Sequence, residues 1–103
     1  MSLFGRQRSE PIKVKLHVRA FIDGRMLRVA ADADAQKGDR LKDLLKRLRR
    51  AGTLDSSVVR QVLRGNPAVM VLRNGERLTM PGAANEILAD GDEVSVLTPM
   101  AGG

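Results

Sequence analysis

From Ile12 to Ala20 every second residue is apolar: Ile12, Val14, Leu16, Val18 and Ala20 alternate with Lys13, Lys15, His17 and Arg19. A sustained period of two predicts a strand with one face in a core and the other in water. Asp23-Gly24 supplies the pair of positive-φ residues that a tight hairpin turn requires. Arg25 to Ala30 then returns as a second strand with Leu27 and Val29 inward. A polar loop is expected from Asp32 to Gly38, with Asp39 as the cap of a helix whose unpaired N–H groups its carboxylate can accept. Leu41, Leu44, Leu45 and Leu48 draw an apolar stripe at i, i+3, i+4, i+7, and Gly52 stands where a left-handed residue would stop the helix. A weaker helical pattern runs from Asp55 as cap through Val58, Val59, Val62 and Leu63 to Gly65. After Asn66-Pro67, the run Ala68-Val69-Met70-Val71-Leu72 reads as a strand, on its length and its β-branched valines. Asn74-Gly75 turns it into a return strand over Glu76 to Met80, which Pro81-Gly82 breaks. A short helical turn over Ala84 to Leu88 and the turn Asp90-Gly91-Asp92 lead into a last alternating strand, Glu93 to Thr98.

The order is hairpin, helix, short helix, hairpin, final strand. One sheet of this size must cover its apolar face with the long helix. The expected fold is therefore α+β: a β-grasp, with a four- to five-stranded mixed sheet covered by one main helix. The organisation that follows is an N-terminal arm over residues 1–11, a domain over 12–98 and a C-terminal tail over 99–103.

Composition narrows the chemistry. With 103 residues there is room for one domain. The absence of cysteine removes disulfides, thiolate nucleophiles and Cys-based zinc sites, and a single histidine argues against a His cluster or a Ser-His-Asp triad. No apolar run approaches the ~20 residues that span a bilayer. The first eight residues lack the apolar stretch of a signal peptide, so a cytoplasmic address and no membrane partner are expected. The net charge of +6 invites a nucleic-acid reading. However, Phe4 and Phe21 are the only aromatic residues, too few for a base-stacking platform, and nucleic acid is not the expected partner.

The ending carries the chemistry. At an average glycine usage of ~7%, a Gly-Gly terminus arises by chance in about 0.5% of chains. From Pro99 to Gly103 no side chain is charged and the last two residues have no Cβ. Such a tail can thread a narrow channel, and it leaves the Gly103 carboxylate open to attack the α-phosphate of ATP. A frayed terminus would look alike in isolation; its place directly after the last strand of a β-grasp favours function. The stretch Leu88-Ala89-Asp90-Gly91-Asp92-Glu93-Val94-Ser95-Val96-Leu97-Thr98-Pro99-Met100-Ala101-Gly102-Gly103 resembles the C-terminal signature of the MoaD/ThiS ubiquitin-like sulfur carriers. The specific part is the Asp-Gly-Asp-Glu-Val turn into the last strand, then an apolar tail closing on Gly-Gly. Over residues 12–87 the likeness is one of element order and length. Two features depart from the family pattern: the arm over 1–11 and the strongly basic balance.

That resemblance implies a carrier rather than an enzyme, with Gly102 and Gly103 as the working residues. It implies an E1-like adenylyltransferase that uses ATP to activate the Gly103 carboxylate, a sulfur source that converts it to a thiocarboxylate, and a sulfur-accepting synthase subunit. The carrier itself would bind no cofactor and be a monomer when alone. Molybdopterin, thiamine, tRNA and amino-acid biosynthesis all remain open as destinations, as does a role as the small subunit of a molybdopterin synthase. A ubiquitin-like modifier joined through Gly103 to lysine amines, and a basic RNA- or partner-binding module, are the alternatives.

Phe21, Met70, Leu72 and Leu97 fall on the outward side of the sheet if the alternation holds. They form either a partner-binding patch or a surface covered by the arm or a helix. The resemblance favours the patch, continued by Pro99, Met100 and Ala101 of the tail. The long helix carries Arg40, Lys42, Lys46, Arg47, Arg49 and Arg50 against Asp39 and Asp43. This reads as a solvated face opposite the leucines, or as a docking surface for an acidic partner or RNA. Asp32, Asp34, Gln36 and Asp43 match a calcium-loop spacing, but Lys37 replaces the required glycine and the last ligand is too short, so no metal site is expected.

Overall fold

The computed structural model describes residues 10–99. Strands β1 (Pro11–Ile22) and β2 (Arg25–Gln36) form the first hairpin. Helices α1 (Leu41–Arg50) and α2 (Ser56–Arg64) follow, then β3 (Met70–Arg73), β4 (Glu76–Arg77), a 3-10 turn (Gly82–Asn85) and β5 (Glu93–Leu97). The five strands make one sheet in the order β2-β1-β5-β3-β4. β1 and β5 run parallel at its centre, and the other pairs are antiparallel. This is the expected mixed β-grasp sheet.

The alternation in β1 is realised throughout. Val14, Leu16, Val18 and Ala20 are buried to within 1% of complete, while Lys13, Lys15, Arg19 and Phe21 are exposed. The inward face continues through Val94 and Val96 of β5 and Val71 of β3. Against it pack Leu41, Leu44 and Leu45 of α1 and Val58, Val59 and Val62 of α2. Each such side chain contributes about 1.5–3 kcal/mol on leaving water. Thus α2 shares the covering role that the sequence pattern assigns mainly to α1.

Several boundaries differ from the sequence expectation, each for a local reason. β2 does not stop at Ala30 but runs to Gln36, absorbing five of the seven residues of the expected loop. Ala31, Ala33 and Ala35 continue the inward face, and alanine is small enough to be overlooked as an apolar beat. Asp32 and Asp34 consequently stand on a strand, not in a calcium-type loop. Asp39 does not cap α1. Its carboxylate accepts from the Gln36 N–H (2.9 Å) and pairs with Arg47 (3.0 Å), while the Arg40 N–H is taken by Asp43 (2.9 Å). At α2 the expectation holds: Asp55 accepts from the Ser57 N–H at 2.8 Å, and Gly65 closes the helix at φ +75°. β4 is only two residues long, and the short helical turn lies at Gly82–Asn85 rather than 84–88.

Candidate functional site

Because β5 runs parallel to β1, the chain leaves the sheet at the end where the β1–β2 turn sits. Thr98 fixes that exit. Its N–H donates to the Arg19 carbonyl (3.2 Å), and its Oγ1 accepts from the Phe21 N–H (2.7 Å). Both bonds tie the root of the tail to β1, so the position of Pro99 is set by the central strand pair. Pro99 itself is exposed.

Beside this exit the open face of the sheet is hollowed into a groove of about 420 Å³, lined by Arg19, Met26, Arg28, Met70, Leu97, Thr98 and Pro99. Three of the expected contact residues, Met70, Leu97 and Pro99, meet in it. Met70 and Leu97 are direct cross-strand neighbours. Phe21 and Leu72 lie on the same face but outside the groove wall: Phe21 is 55% exposed, and Leu72 pairs with Ser95 and Arg77. The face is open rather than covered by a helix, since both helices pack on its reverse. Met100, Ala101, Gly102 and Gly103 lie outside the described residues.

The sequence reading missed Thr98, Met26, Arg19 and Arg28 as groove residues, the last three of them on the first hairpin. The signal was present in the Asp23-Gly24 turn. A two-residue turn places Ile22 opposite Arg25, Phe21 opposite Met26 and Arg19 opposite Arg28, as observed. Met26 is 41% exposed, and its unbranched thioether suits a surface that adapts to a partner. Farther along the same face the character changes to polar contacts, the Lys13–Asp34 ion pair (2.6 Å) and a His17–Glu93 hydrogen bond (3.0 Å).

The other end of β5 is anchored by a polar clamp. Asp92 is 6% exposed and receives bonds from Arg73 (Nε 3.0 Å, Nη2 2.8 Å), Asn74 Nδ2 (2.9 Å) and the Ala89 N–H (2.8 Å). Arg73 also reaches Glu86 (3.1 Å) and the Ile87 carbonyl (2.9 Å). Burial pushes the Asp92 carboxyl up, but the donated bonds and the Arg73 charge outweigh it and hold it below the usual carboxylate value. The Asp-Gly-Asp-Glu-Val stretch is therefore structural, because it locks the β3–β4 turn and the 86–89 loop to the start of the tail-bearing strand.

Among the described residues no group of three or more His, Cys, Asp or Glu side chains could hold a metal ion. No helix among them is long and apolar enough to cross a membrane.

The ThiS family model matches residues 17–103, a span that takes in the second half of β1, the rest of the sheet, the clamp and the sequence to Gly103. The chain belongs to the ThiS family. Solved structures agree on the ThiS-like fold. The HVO 2177 protein of Haloferax volcanii superposes with a TM-score of 0.59 at 23% identity, covering 97% of this chain and 94% of that one. Urm1 of Trypanosoma brucei gives 0.55 at 17% identity, covering 93% and 100%. The small archaeal modifier protein 1 of Methanosarcina acetivorans gives 0.51 at 20%, covering 91% and 99%. No curated protein matches the sequence. These likenesses place the chain among small ubiquitin-fold proteins, as the β-grasp pattern and the C-terminal signature anticipated.

Proposed function

We propose that this ThiS-family protein is a sulfur carrier that works through the carboxylate of Gly103. The observation that carries the reading is the family match running to Gly103, on a fold whose last strand leads into Thr98 and Pro99 at the wall of an apolar groove. In the proposed cycle the Gly103 carboxylate oxygen attacks the α-phosphorus of ATP on an E1-like enzyme, and pyrophosphate leaves. Hydrosulfide then adds to the acyl carbon of the adenylate, AMP leaves, and loss of a proton gives the thiocarboxylate. If a persulfide is the donor, a second thiol must cleave the acyl disulfide to release the same product. The chain supplies no catalytic group. Its part is to present an end without side chains, and to dock through Phe21, Met70, Leu72, Leu97, Pro99, Met100 and Ala101, with Met26, Arg19 and Arg28 now added. The sulfur-accepting synthase would meet the same face, because the tail root cannot move away from it.

The test is incubation with ATP, a sulfur donor and the E1-like enzyme of the same organism, followed by intact mass measurement. One oxygen-for-sulfur exchange, absent when Gly103 is deleted, is the expected result. An unchanged mass alongside turnover of a known carrier would reject the reading. One observation supports a second reading: a structural neighbour is named a modifier protein. A modifier would use the same adenylate but give it to a lysine amine, and adducts cleaved back to a Gly103 end would reveal it.

A further inference from the structure

We infer that the free edge of β2 is a self-pairing surface, through which two copies of this chain form an antiparallel dimer centred on Ala30, in place of the lone monomer that the resemblance implies. β2 is twelve residues long and, among the described residues, stands at the margin of the sheet with only β1 beside it. The direction of its backbone groups follows from the ladder. Just beyond the Pro11–Gln36 pair, the Lys37 N–H donates to the Glu10 carbonyl at 2.8 Å. In an antiparallel pair these bonds recur every second residue. The odd-numbered residues of β2 therefore bond to β1, and the even-numbered ones turn N–H and C=O outward. Arg47 Nη1 lies 3.5 Å from the Asp34 carbonyl, which fits this and blunts the far end of the edge. Among the described residues Arg28, Ala30 and Asp32 are left with a donor and an acceptor each, an open template for another strand.

The side chains say which strand fits. Arg28 sits directly across from Arg19 of β1, a like-charge pair, and Asp32 carries the opposite sign two positions beyond Ala30. Among the described residues neither Arg28 nor Asp32 has an ion-pair partner, whereas Asp34 is already held by Lys13. A two-fold axis at Ala30 places Arg28 of each copy opposite Asp32 of the other, so the charge pattern is complementary to itself. On the helix side the same register sets the half-buried Leu27 and Val29 opposite the alanines at 33 and 31, large against small. Below Leu27 and Val29 a hollow of about 240 Å³, bordered by Gly52, Thr53 and Leu54, is left unfilled by the chain's own helices. The result is a continuous sheet across two copies. β5 stands two strands in from this edge, so the pairing makes no use of the Gly103 carboxylate, although Arg28 lines both this edge and the groove beside Thr98 and Pro99.

The experiment is sedimentation equilibrium of the full chain, without any activating enzyme, from low micromolar to millimolar concentration. The wild-type mass should double as concentration rises. R28D and D32R each set like charges face to face and should weaken dimerisation by about tenfold or more, and R28D/D32R should restore it. A30P removes an outward N–H without touching the β1 ladder and should leave a monomer. Thermal melts confirm that each variant is folded. A wild type monomeric at every concentration would leave the edge to some other strand and overturn the inference. So would a dimer indifferent to both single charge reversals, or a double variant no stronger than the singles.

Discussion

Replacing Asp92 by alanine removes the acceptor at the centre of the β5 clamp. Three donors lose their partner at once: Arg73, whose side chain is only 23% exposed, the Asn74 amide and the Ala89 N–H. Arg73 keeps Glu86 and the Ile87 carbonyl, and Asn74 can turn to water, so the cost falls short of a fully orphaned buried charge. We expect a loss of about 3 kcal/mol. In urea this moves the midpoint down by roughly 2 M, and it lowers the melting temperature by about 12 °C or more. Asp92→Asn keeps the shape and loses the charge, and should cost about half as much. Its gap from wild type has a defined pH dependence. The folded carboxyl titrates below its unfolded value, so the charge contributes in full above the ordinary carboxylate range. That contribution is lost as pH falls through the folded pKa. The wild-type advantage over Asp92→Asn should therefore hold from about pH 7 to 5 and shrink below about pH 4. Asp39 and Asp55 are also depressed, which makes the difference between the two proteins the quantity to measure. A loss under ~1 kcal/mol for alanine, or a gap for asparagine that acidification leaves unchanged, would refute this account of the clamp.

Leu97→Asp puts a carboxylate into the apolar groove at the tail root. It should raise the KM for adenylation, read by pyrophosphate exchange, by about tenfold or more, with little change in the melting curve; unchanged exchange would remove Leu97 from the docking surface. Gly65→Ala must adopt φ +75° and place its Cβ 2.9 Å from Pro81 Cδ and 3.0 Å from the Met80 carbonyl oxygen. A denaturant midpoint showing a loss of about 1–3 kcal/mol is expected, and a neutral substitution would contradict the close packing of that loop. Leu44→Ala empties a fully buried position between helix and sheet and should cost about 2–5 kcal/mol in the same assay. A value near ~1 kcal/mol would mean that the core relaxes around it.

Element type and order were legible along the chain because each element carries its own period. The alternation of β1, the leucine stripe of α1 and the Asn74-Gly75 turn all follow from interactions within a few residues. Boundaries were less legible wherever a distant group competed. Asp39 has the right chemistry for a cap but commits it to Gln36 and Arg47. Ala31, Ala33 and Ala35 count as inward beats only because β1 lies alongside.

By itself, then, the sequence determined a two-period α+β chain whose main elements each carry one apolar side. Tertiary structure alone decided where the chain leaves the sheet. The parallel pairing of β5 with β1 joins segments far apart along the chain, and Thr98 bonds across it to Arg19 and Phe21. No local pattern encodes such a pairing. It is favoured because it buries the Val94/Val96 and Val14/Val18 faces under the same helices. The groove, the clamp and the free edge of β2 all follow from that single choice.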